Sequence, residues 1–197
     1  MNNISILFWS GGKDSLLTLR ELEKMTKNIA LLTTYDEAKD IVPVQNIPIR
    51  TIQEQAIHLG YIHFAIPLPF PCSNDIYIDR ITIHLKKLPF EIEHLVFGDL
   101  HLEDIKKWRE KVFGEKGYNC LFPIWKKSEE ELLSALDKEE CTIKISSVSD
   151  KFRNLLTPGV IYNRSFVDKL PDTIDSFGEN GEFHTEVVFE KQMKRLP

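Results

Sequence analysis

Cysteine is scarce in this chain of 197 residues, which contains only Cys72, Cys120 and Cys141. The three lie far apart in the sequence and form no C-x-x-C pair. Disulfide-rich scaffolds need paired cysteines, and structural zinc sites need Cys or His ligands at short spacing. The sequence therefore excludes a small disulfide-stapled fold, fits a reducing compartment and gives no metal site built on cysteine.

An excess of positive charge is also lacking. Lys and Arg total 25 against 30 Asp and Glu, which gives a net charge of −5. Proteins that bind nucleic acids usually carry a basic face that neutralises phosphates. The charge balance therefore argues against DNA or RNA as a partner, although a local basic patch stays compatible with it.

Long apolar runs are absent: no stretch approaches the roughly 18 residues that are needed to cross a bilayer. A core strand is predicted to begin at Ile4, which leaves no room before it for a secretory signal peptide. Internal repeats and low-complexity segments are lacking too, which excludes a solenoid. We therefore expect a cytoplasmic protein without membrane contact. The sequence does not fix its oligomeric state, and a homo-oligomer stays compatible with it.

The most informative segment is a hexapeptide that follows an apolar run, and we call it the glycine loop. Its residues are Ser10, Gly11, Gly12, Lys13, Asp14 and Ser15. Two adjacent glycines allow a sharp turn that brings backbone N–H groups to one point, and the start of a following helix favours an anion. Lys13 adds positive charge, the serines add hydroxyl donors, and Asp14 can hold a magnesium ion. The pattern predicts a phosphate-binding loop; an ordinary glycine turn with a serine helix cap would leave Lys13 and Asp14 unexplained.

Strand and helix patterns alternate over the first two thirds of the chain. Strands are predicted at 4–9, 29–35, 63–68 and 94–97, and helices at 16–25, 51–59, 74–87 and 103–112. This alternation predicts an α/β fold with a doubly wound parallel sheet, in which ligands bind beyond the carboxyl ends of the strands. The glycine loop, Tyr35, and the pair Gly98 and Asp99 all follow such strand ends.

The remaining third has a different pattern. A short strand is predicted at 120–125, a helix with a capping box at 128–136, and further strands at 142–148 and 185–190, with two short helices between them. We interpret residues 1–126 as a nucleotide-binding domain and residues 127–197 as a small α+β lobe that faces the substrate.

A second polar cluster precedes the last predicted strand, and we call residues 178–185 the polar turn. Its sequence is Gly-Glu-Asn-Gly-Glu-Phe-His-Thr, which has more functional groups than a turn requires. A plain surface turn is the alternative interpretation of this segment. Together with the glycine loop, however, it suits an enzyme that holds a nucleotide and a second polar substrate side by side.

The glycine loop resembles the SGGxDS signature of the ATP pyrophosphatases, and four more segments occur in family order. They are residues 72–77, 97–104, 121–125 and 178–185. Together they resemble the diphthine-ammonia ligase family over nearly the whole chain. The resemblance implies the PP-loop fold of the adenine nucleotide alpha hydrolases. It also implies a ligase that adenylates a carboxylate with ATP, releases pyrophosphate and lets ammonia displace AMP.

The same resemblance implies ATP and Mg²⁺ as cofactors, and a protein side chain or a small metabolite as the carboxylate acceptor. The glycine loop, Tyr35, Gly98 and Asp99 would bind the nucleotide, with Asp14 and Asp99 on magnesium. The acceptor site would comprise Asn74, Tyr77, Glu179, Asn180, Glu182, His184 and Thr185. Lys13, Asp14, Glu182 and His184 are the candidate catalytic residues, without a general base assigned among them.

Two alternatives stay open. The first is a PP-loop enzyme that modifies tRNA, against which the acidic net charge counts. The second is a sensor that binds ATP without turning it over.

Overall fold

The computed structural model of the protein describes residues 3–190. Its centre is a mostly parallel seven-stranded sheet, and a separate antiparallel pair of strands lies beside it. The strands are β1 (Ile4–Phe8), β2 (Ile29–Asp36), β3 (Ile41–Val42), β4 (Ile47–Pro48), β5 (Ile62–Leu68), β6 (Ile92–Val96), β7 (Cys120–Leu121), β8 (Thr142–Val148) and β9 (Phe183–Val188). The helices are α1 (Lys13–Met25), α2 (Ile49–Leu59), α3 (Asn74–Leu85), α4 (Glu103–Gly114), α5 (Glu129–Leu136) and α6 (Arg164–Val167), with a 3₁₀ turn at Asp150–Phe152.

The five parallel strands lie in the order β5-β2-β1-β6-β7. The chain therefore starts in the middle of the sheet, builds outward to one side and then crosses to the other. The short β3–β4 hairpin pairs antiparallel with the end of β2. The predicted doubly wound parallel sheet is confirmed, and its strand order places the ends of β1, β2 and β6 at one edge.

Apolar residues on both faces of the central strands produce two cores. On one face of the sheet, β1, β2 and β6 contribute the paired residues Ile6, Ala30 and Leu95. The next residue of each strand, Leu7, Leu31 and Val96, lies on the opposite face. A strand buried on both faces needs such a continuous apolar run, which explains why β1 and β2 lack polar alternation.

Two helix ends follow the local signals in the sequence. Helix α2 ends at Gly60, which has a left-handed φ of 77°. Helix α5 begins after Ser128, whose side chain accepts from the backbone of Glu131 while the Glu131 carboxylate accepts from Ser128 in return. The predicted capping box is therefore confirmed. Helix α5 packs against α1.

We call residues 127–190 the C-terminal lobe, and their strands β8 and β9 pair antiparallel. One core cluster contains residues from both sides of the predicted division, including Leu16 of α1, Leu132 of α5 and Phe183 of β9. The division at residue 126 stays a prediction, and the last seven residues of its second part lie outside the described residues.

Two segments differ from the prediction. The stretch after β2 contains the β3–β4 hairpin, whose two-residue strands are too short to show a period in the sequence. The strand predicted at 120–125 ends at Leu121, because the backbone turns there and Trp125 N–H donates to the Phe122 carbonyl at 3.1 Å. Pro123 has no N–H to continue a ladder.

Across residues 3–190, the helices lack the combination of length and apolar character that a membrane span requires.

Candidate functional site

The glycine loop lies between β1 and α1, at the edge of the sheet where the central strands end. Gly11 has a φ of 81°, which only glycine adopts readily. Gly12 is the N-cap of α1 and has no side-chain cap, so the first turn of this 13-residue helix has backbone donors to offer. The positive end of the helix dipole is at the same point. This geometry suits a bound anion.

Both serines of the glycine loop are turned toward its backbone. Ser15 donates to the Gly12 carbonyl at 2.8 Å, and Ser10 donates to the Ser15 hydroxyl at 3.4 Å. The N–H of Gly12 lies 3.4 Å from the Ser10 hydroxyl oxygen. The two serine hydroxyls therefore lie against the loop backbone, beside the N–H of Gly12.

The glycines are also required by the elements packed around the loop. A Cβ on Gly11 would overlap the Ile52 side chain of α2 and lie 2.8 Å from the Gln55 side-chain oxygen. A Cβ on Gly12 would lie 2.8 Å from the carbonyl oxygen of Thr185 on β9. Helix α2 and strand β9 therefore hold the loop from two sides, which only glycines permit.

Lys13 lies beneath the C-terminal lobe, with only 1% of its surface exposed. Its ammonium is 3.0 Å from both carboxylate oxygens of Asp14 and donates to the Phe177 carbonyl at 2.5 Å. Three aromatic rings surround it, those of Tyr162, Phe177 and Phe183, with centroids 5.1–5.6 Å from the nitrogen. The charge is thus neutralised within the protein, and the side chain fastens α1 to the C-terminal lobe.

The two carboxylates predicted to bind magnesium have different surroundings. Asp14 is partly exposed at the first turn of α1 and is paired with Lys13. Asp99 is paired with Arg109, whose Nε lies 2.8 Å from Oδ2, although the N–H is not aligned for a hydrogen bond. Arg109 also packs over the Phe97 ring at 4.4 Å. Within residues 3–190 no group of three or more His, Cys, Asp or Glu side chains could hold a metal.

A magnesium ion bound with nucleotide phosphates commonly uses only one or two carboxylates. Asp14 fits that use, because it lies at the glycine loop and is 31% exposed. Both carboxylates already face a cation, and Asp99 fits this use less well because its side chain is only 12% exposed.

Much of the polar turn is engaged within the protein. Glu179 accepts a hydrogen bond from the backbone of Leu100 at 2.8 Å, and so connects the turn to the loop after β6, which contains Gly98. Burial raises the pKa of Glu179, and the Leu100 N–H opposes this effect. Glu182 is 4% exposed and accepts from Asp175 N–H and the Asn180 amide.

Thr185 and His184 of the polar turn lie close to the glycine loop. Thr185 accepts a hydrogen bond from Lys13 N–H at 3.0 Å. Burial lowers the pKa of His184, and the nearby charge of Lys13 lowers it further, so the imidazole is neutral at pH 7. The second carboxylate oxygen of Glu182 is buried and has no hydrogen-bond partner among the described residues.

A cavity of about 440 Å³ opens beside the glycine loop at the ends of β1 and β2. Its lining includes Ser10, Thr34, Asp36, Val44, Phe70 and Tyr77. Burial raises the pKa of Tyr77, and the charge of Arg109 opposes this effect. The other predicted residues of this region, Tyr35 on β2 and Asn74 at the start of α3, are not part of the lining.

The structure therefore brings together the glycine loop, Gly98, Asp99 and most of the polar turn. Asn74 is exposed on α3. Gln55, which the sequence analysis missed, lies at the centre of the contacts around the loop. Its signal in the sequence was a polar residue on the apolar stripe of α2, between Ile52 and Ala56.

Comparison with known proteins identifies a family and a group of similar solved structures. Residues 3–120 match the model of a family described as "Diphthamide synthase N-terminal domain". A predicted subunit of tRNA methyltransferase from Methanocaldococcus jannaschii is 17% identical, with 75% of this chain and 80% of that chain covered and a TM-score of 0.50. The U34-tRNA thiolase NcsA from Methanococcus maripaludis is 18% identical, with 70% and 57% covered and a TM-score of 0.41. No curated protein matches the chain.

Proposed function

The chain belongs to the diphthamide synthase N-terminal domain family, which has the PP-loop ATP pyrophosphatase fold, and from this premise we propose that it cleaves ATP to AMP and pyrophosphate. The proposed reaction attaches AMP to an acceptor oxygen and so activates the acceptor for a second step. We place it in the cytoplasm, where ATP is plentiful.

The observation that carries the proposal is the start of α1, where the N-cap Gly12 supplies no side-chain cap and Thr185 engages the N–H of Lys13. Gly11 with its positive φ turns the backbone sharply there, and the side chains of Ser10 and Ser15 lie against the same turn. The cavity of about 440 Å³ beside it has room for a nucleoside. A triphosphate that enters here would have its terminal phosphates at the helix start and its base in the cavity.

In the proposed reaction, different residues of the chain bind the phosphates and the metal. The loop amides and the hydroxyls of Ser10 and Ser15 bind the β and γ phosphates, whose charge increases as pyrophosphate leaves. Mg²⁺, held by Asp14, would neutralise phosphate oxygens. Lys13 lies beneath the loop, where its ammonium holds the Asp14 carboxylate at 3.0 Å and so positions it for the metal.

For the acceptor, we propose a carboxylate that is converted to an amide. A carboxylate oxygen attacks the α phosphorus, and the bridging oxygen leaves with pyrophosphate. Ammonia then attacks the acyl carbon, and AMP leaves with the oxygen that joined the two. For proton transfer from the attacking ammonia we propose His184, which lies close enough to Lys13 and Asp14 for their charges to act on it, and whose neutral imidazole can accept a proton.

A tRNA-modifying enzyme is the second candidate, and the comparisons favour it at least as well as amide synthesis. The M. jannaschii protein is described as a predicted subunit of tRNA methyltransferase and shares the fold. If the proposed adenylation acts on tRNA, the adenylated oxygen would belong to a nucleobase. The net charge of −5 is unfavourable for tRNA binding, so the two candidates require a direct comparison.

The test follows α-labelled ATP with Mg²⁺ in three incubations: without acceptor, with ammonium and a protein extract, and with bulk tRNA. AMP that forms only with ammonium and extract supports amide synthesis, and AMP that forms only with tRNA supports the second candidate. ATP that binds without AMP formation in any incubation identifies a binding protein. A chain that binds no ATP overturns the proposal.

Variants of α1 provide the matched controls. Lys13→Ala and Asp14→Asn should each abolish AMP formation. Lys24→Ala, at the exposed far end of the same helix, should leave it unchanged. Far-UV circular dichroism separates loss of activity from loss of fold, which matters because Lys13 is buried. Folded variants with full activity would show that the glycine loop does not bind the phosphates.

A further inference from the structure

Gln55 has a buried side chain in which the oxygen and both N–H donors are used. Its Oε1 accepts from the Trp9 indole N–H at 2.9 Å. Its Nε2 donates to the Gly11 carbonyl at 3.2 Å and to the Val187 carbonyl at 2.7 Å. The residue is only 4% exposed, so water cannot replace these partners. One amide therefore joins the end of β1, the glycine loop and strand β9 to helix α2.

The Gly11 carbonyl receives a second hydrogen bond, from Val187 N–H at 2.8 Å. Two donors from two different elements therefore fix the direction in which this carbonyl points. In a trans peptide the C=O and the following N–H point in opposite directions. With its carbonyl turned toward Gln55 and β9, the Gly11–Gly12 peptide presents the Gly12 N–H to the opposite side, where the Ser10 hydroxyl lies.

We propose that Gln55 is a positioning residue that locks the Gly11–Gly12 peptide with its N–H toward the bound phosphates. The inference rests on the proposed function, because it assigns the loop amides to ATP. Without the Gln55 amide, a peptide between two glycines can rotate easily, since neither residue has a Cβ to restrict it. Rotation would replace a donor by a carbonyl oxygen, which repels phosphate.

The position requires an amide for a chemical reason. Glutamate has no donor when ionised and would face the Gly11 and Val187 carbonyls with like partial charge. Methionine has nearly the same length but makes none of the three bonds. Both changes act on the loop indirectly, because no atom of Gln55 is assigned to the nucleotide.

The experiment compares Gln55→Glu and Gln55→Met with Gln53→Glu and Gln53→Met, which lie on the exposed face of the same helix. ATP affinity is measured by calorimetry from pH 5 to pH 8, and urea unfolding identifies the folded proteins. At pH 8 both Gln55 variants should bind ATP about tenfold more weakly or worse, while the Gln53 variants match wild type.

The dependence of ATP affinity on pH distinguishes a role in orienting the peptide from a purely structural role. Gln55→Glu should regain affinity toward pH 5, because the protonated carboxyl again donates one hydrogen bond, whereas Gln55→Met should stay weak throughout. His58 of α2 and Glu186 of β9 line the neighbouring cavity and are unchanged in every variant, so the wild-type profile is the baseline. Folded Gln55 variants with wild-type affinity at all pH values would overturn the inference.

A second measurement distinguishes this failure from failure of the proposed function. The indole N–H of Trp9 gives its own NMR signal, and its exchange with solvent needs no nucleotide. In Gln55→Met, which removes the acceptor oxygen, this exchange should be faster than in wild type at pH 8, whereas Gln55→Glu keeps an acceptor for the indole and should exchange slowly. If wild type binds no ATP, the proposed function fails, and an indole exchange in Gln55→Met equal to that of wild type would then overturn the Gln55 contact as well.

Discussion

The backbone N–H of Lys13 donates to the hydroxyl of Thr185 at 3.0 Å, although 172 positions separate the two residues. This bond joins the first turn of α1 to β9, and so joins the glycine loop to the polar turn. Two clusters that lie at opposite ends of the sequence are therefore next to each other in the structure. The C-terminal lobe helps to build the glycine loop, in addition to facing it.

Thr185→Val removes this hydroxyl while keeping the shape of the side chain. The buried Lys13 N–H then has no partner, so we expect the free energy of unfolding to fall by about 1–3 kcal/mol. Urea unfolding measures the change. Thr185→Ser keeps the hydroxyl and is the matched control, which should lose much less. Equal stability of wild type and Thr185→Val would mean that the bond contributes nothing.

Gly11→Ala should destabilise the protein more than Gly60→Ala. Both glycines have a positive φ, of 81° and 77°, so each alanine incurs a similar backbone cost of about 1–2 kcal/mol. Only at Gly11 does the new Cβ also overlap another side chain, that of Ile52, which adds about 1–3 kcal/mol. Paired urea titrations give the difference, and two equal losses would refute the close packing of α2 on the loop.

Lys13→Met should lower stability even though it replaces a buried charge by an apolar side chain of similar length. The substitution leaves the Phe177 carbonyl and the Asp14 carboxylate without their cation. We expect a loss of about 1–3 kcal/mol in thermal or urea unfolding. Lys24→Met, whose side chain is exposed, should change stability by less than about 0.5 kcal/mol. A Lys13→Met protein as stable as wild type would contradict the conclusion that the Lys13 side chain holds α1 against the C-terminal lobe.

Acidification should weaken the fold through His63. Burial lowers the pKa of His63 from 6.5 to about 4. Thr33 donates its only hydroxyl proton to the Trp9 carbonyl, so His63 Nε2 must be the donor in its 2.9 Å contact with Thr33. The unfolded chain binds a proton between pH 6.5 and 4 while the folded chain does not, so stability falls as pH decreases through this window.

The full effect of His63 is at most about 3 kcal/mol, reached below pH 4. His63→Gln keeps a donor for Thr33 but does not titrate. Unfolding free energies measured every half pH unit should therefore fall less steeply for this variant than for wild type. Parallel slopes would show that His63 is not responsible.

The sequence predicted the parallel core because its signals are local. Continuous apolar runs mark β1 and β2, Gly60 ends α2, and Ser128 starts α5. The β3–β4 hairpin was not predicted, because strands of two residues are too short to show an alternation of apolar and polar residues. The sequence indicated only a phosphate-binding role for Gly11 and Gly12. Their close packing against Ile52 and Thr185 could not be predicted, because these residues are distant in the chain.

The site was predicted less completely, because it depends on contacts between distant segments. The sequence singled out Lys13 for its charge but could not place its ammonium among Tyr162, Phe177 and Phe183. Gln55 carried no motif, and its importance arises only from three partners that are distant in the chain. Such residues become visible when every buried polar group is traced to its partner.

The most direct test of the central claim is a crystal structure with a nonhydrolysable ATP analogue and Mg²⁺. We expect the β and γ phosphates to lie on the backbone amides of residues 10–15 and the base to lie in the cavity lined by Phe70 and Tyr77. The α phosphate should be open toward His184. A triphosphate bound elsewhere, with the start of α1 free of phosphate, would contradict it.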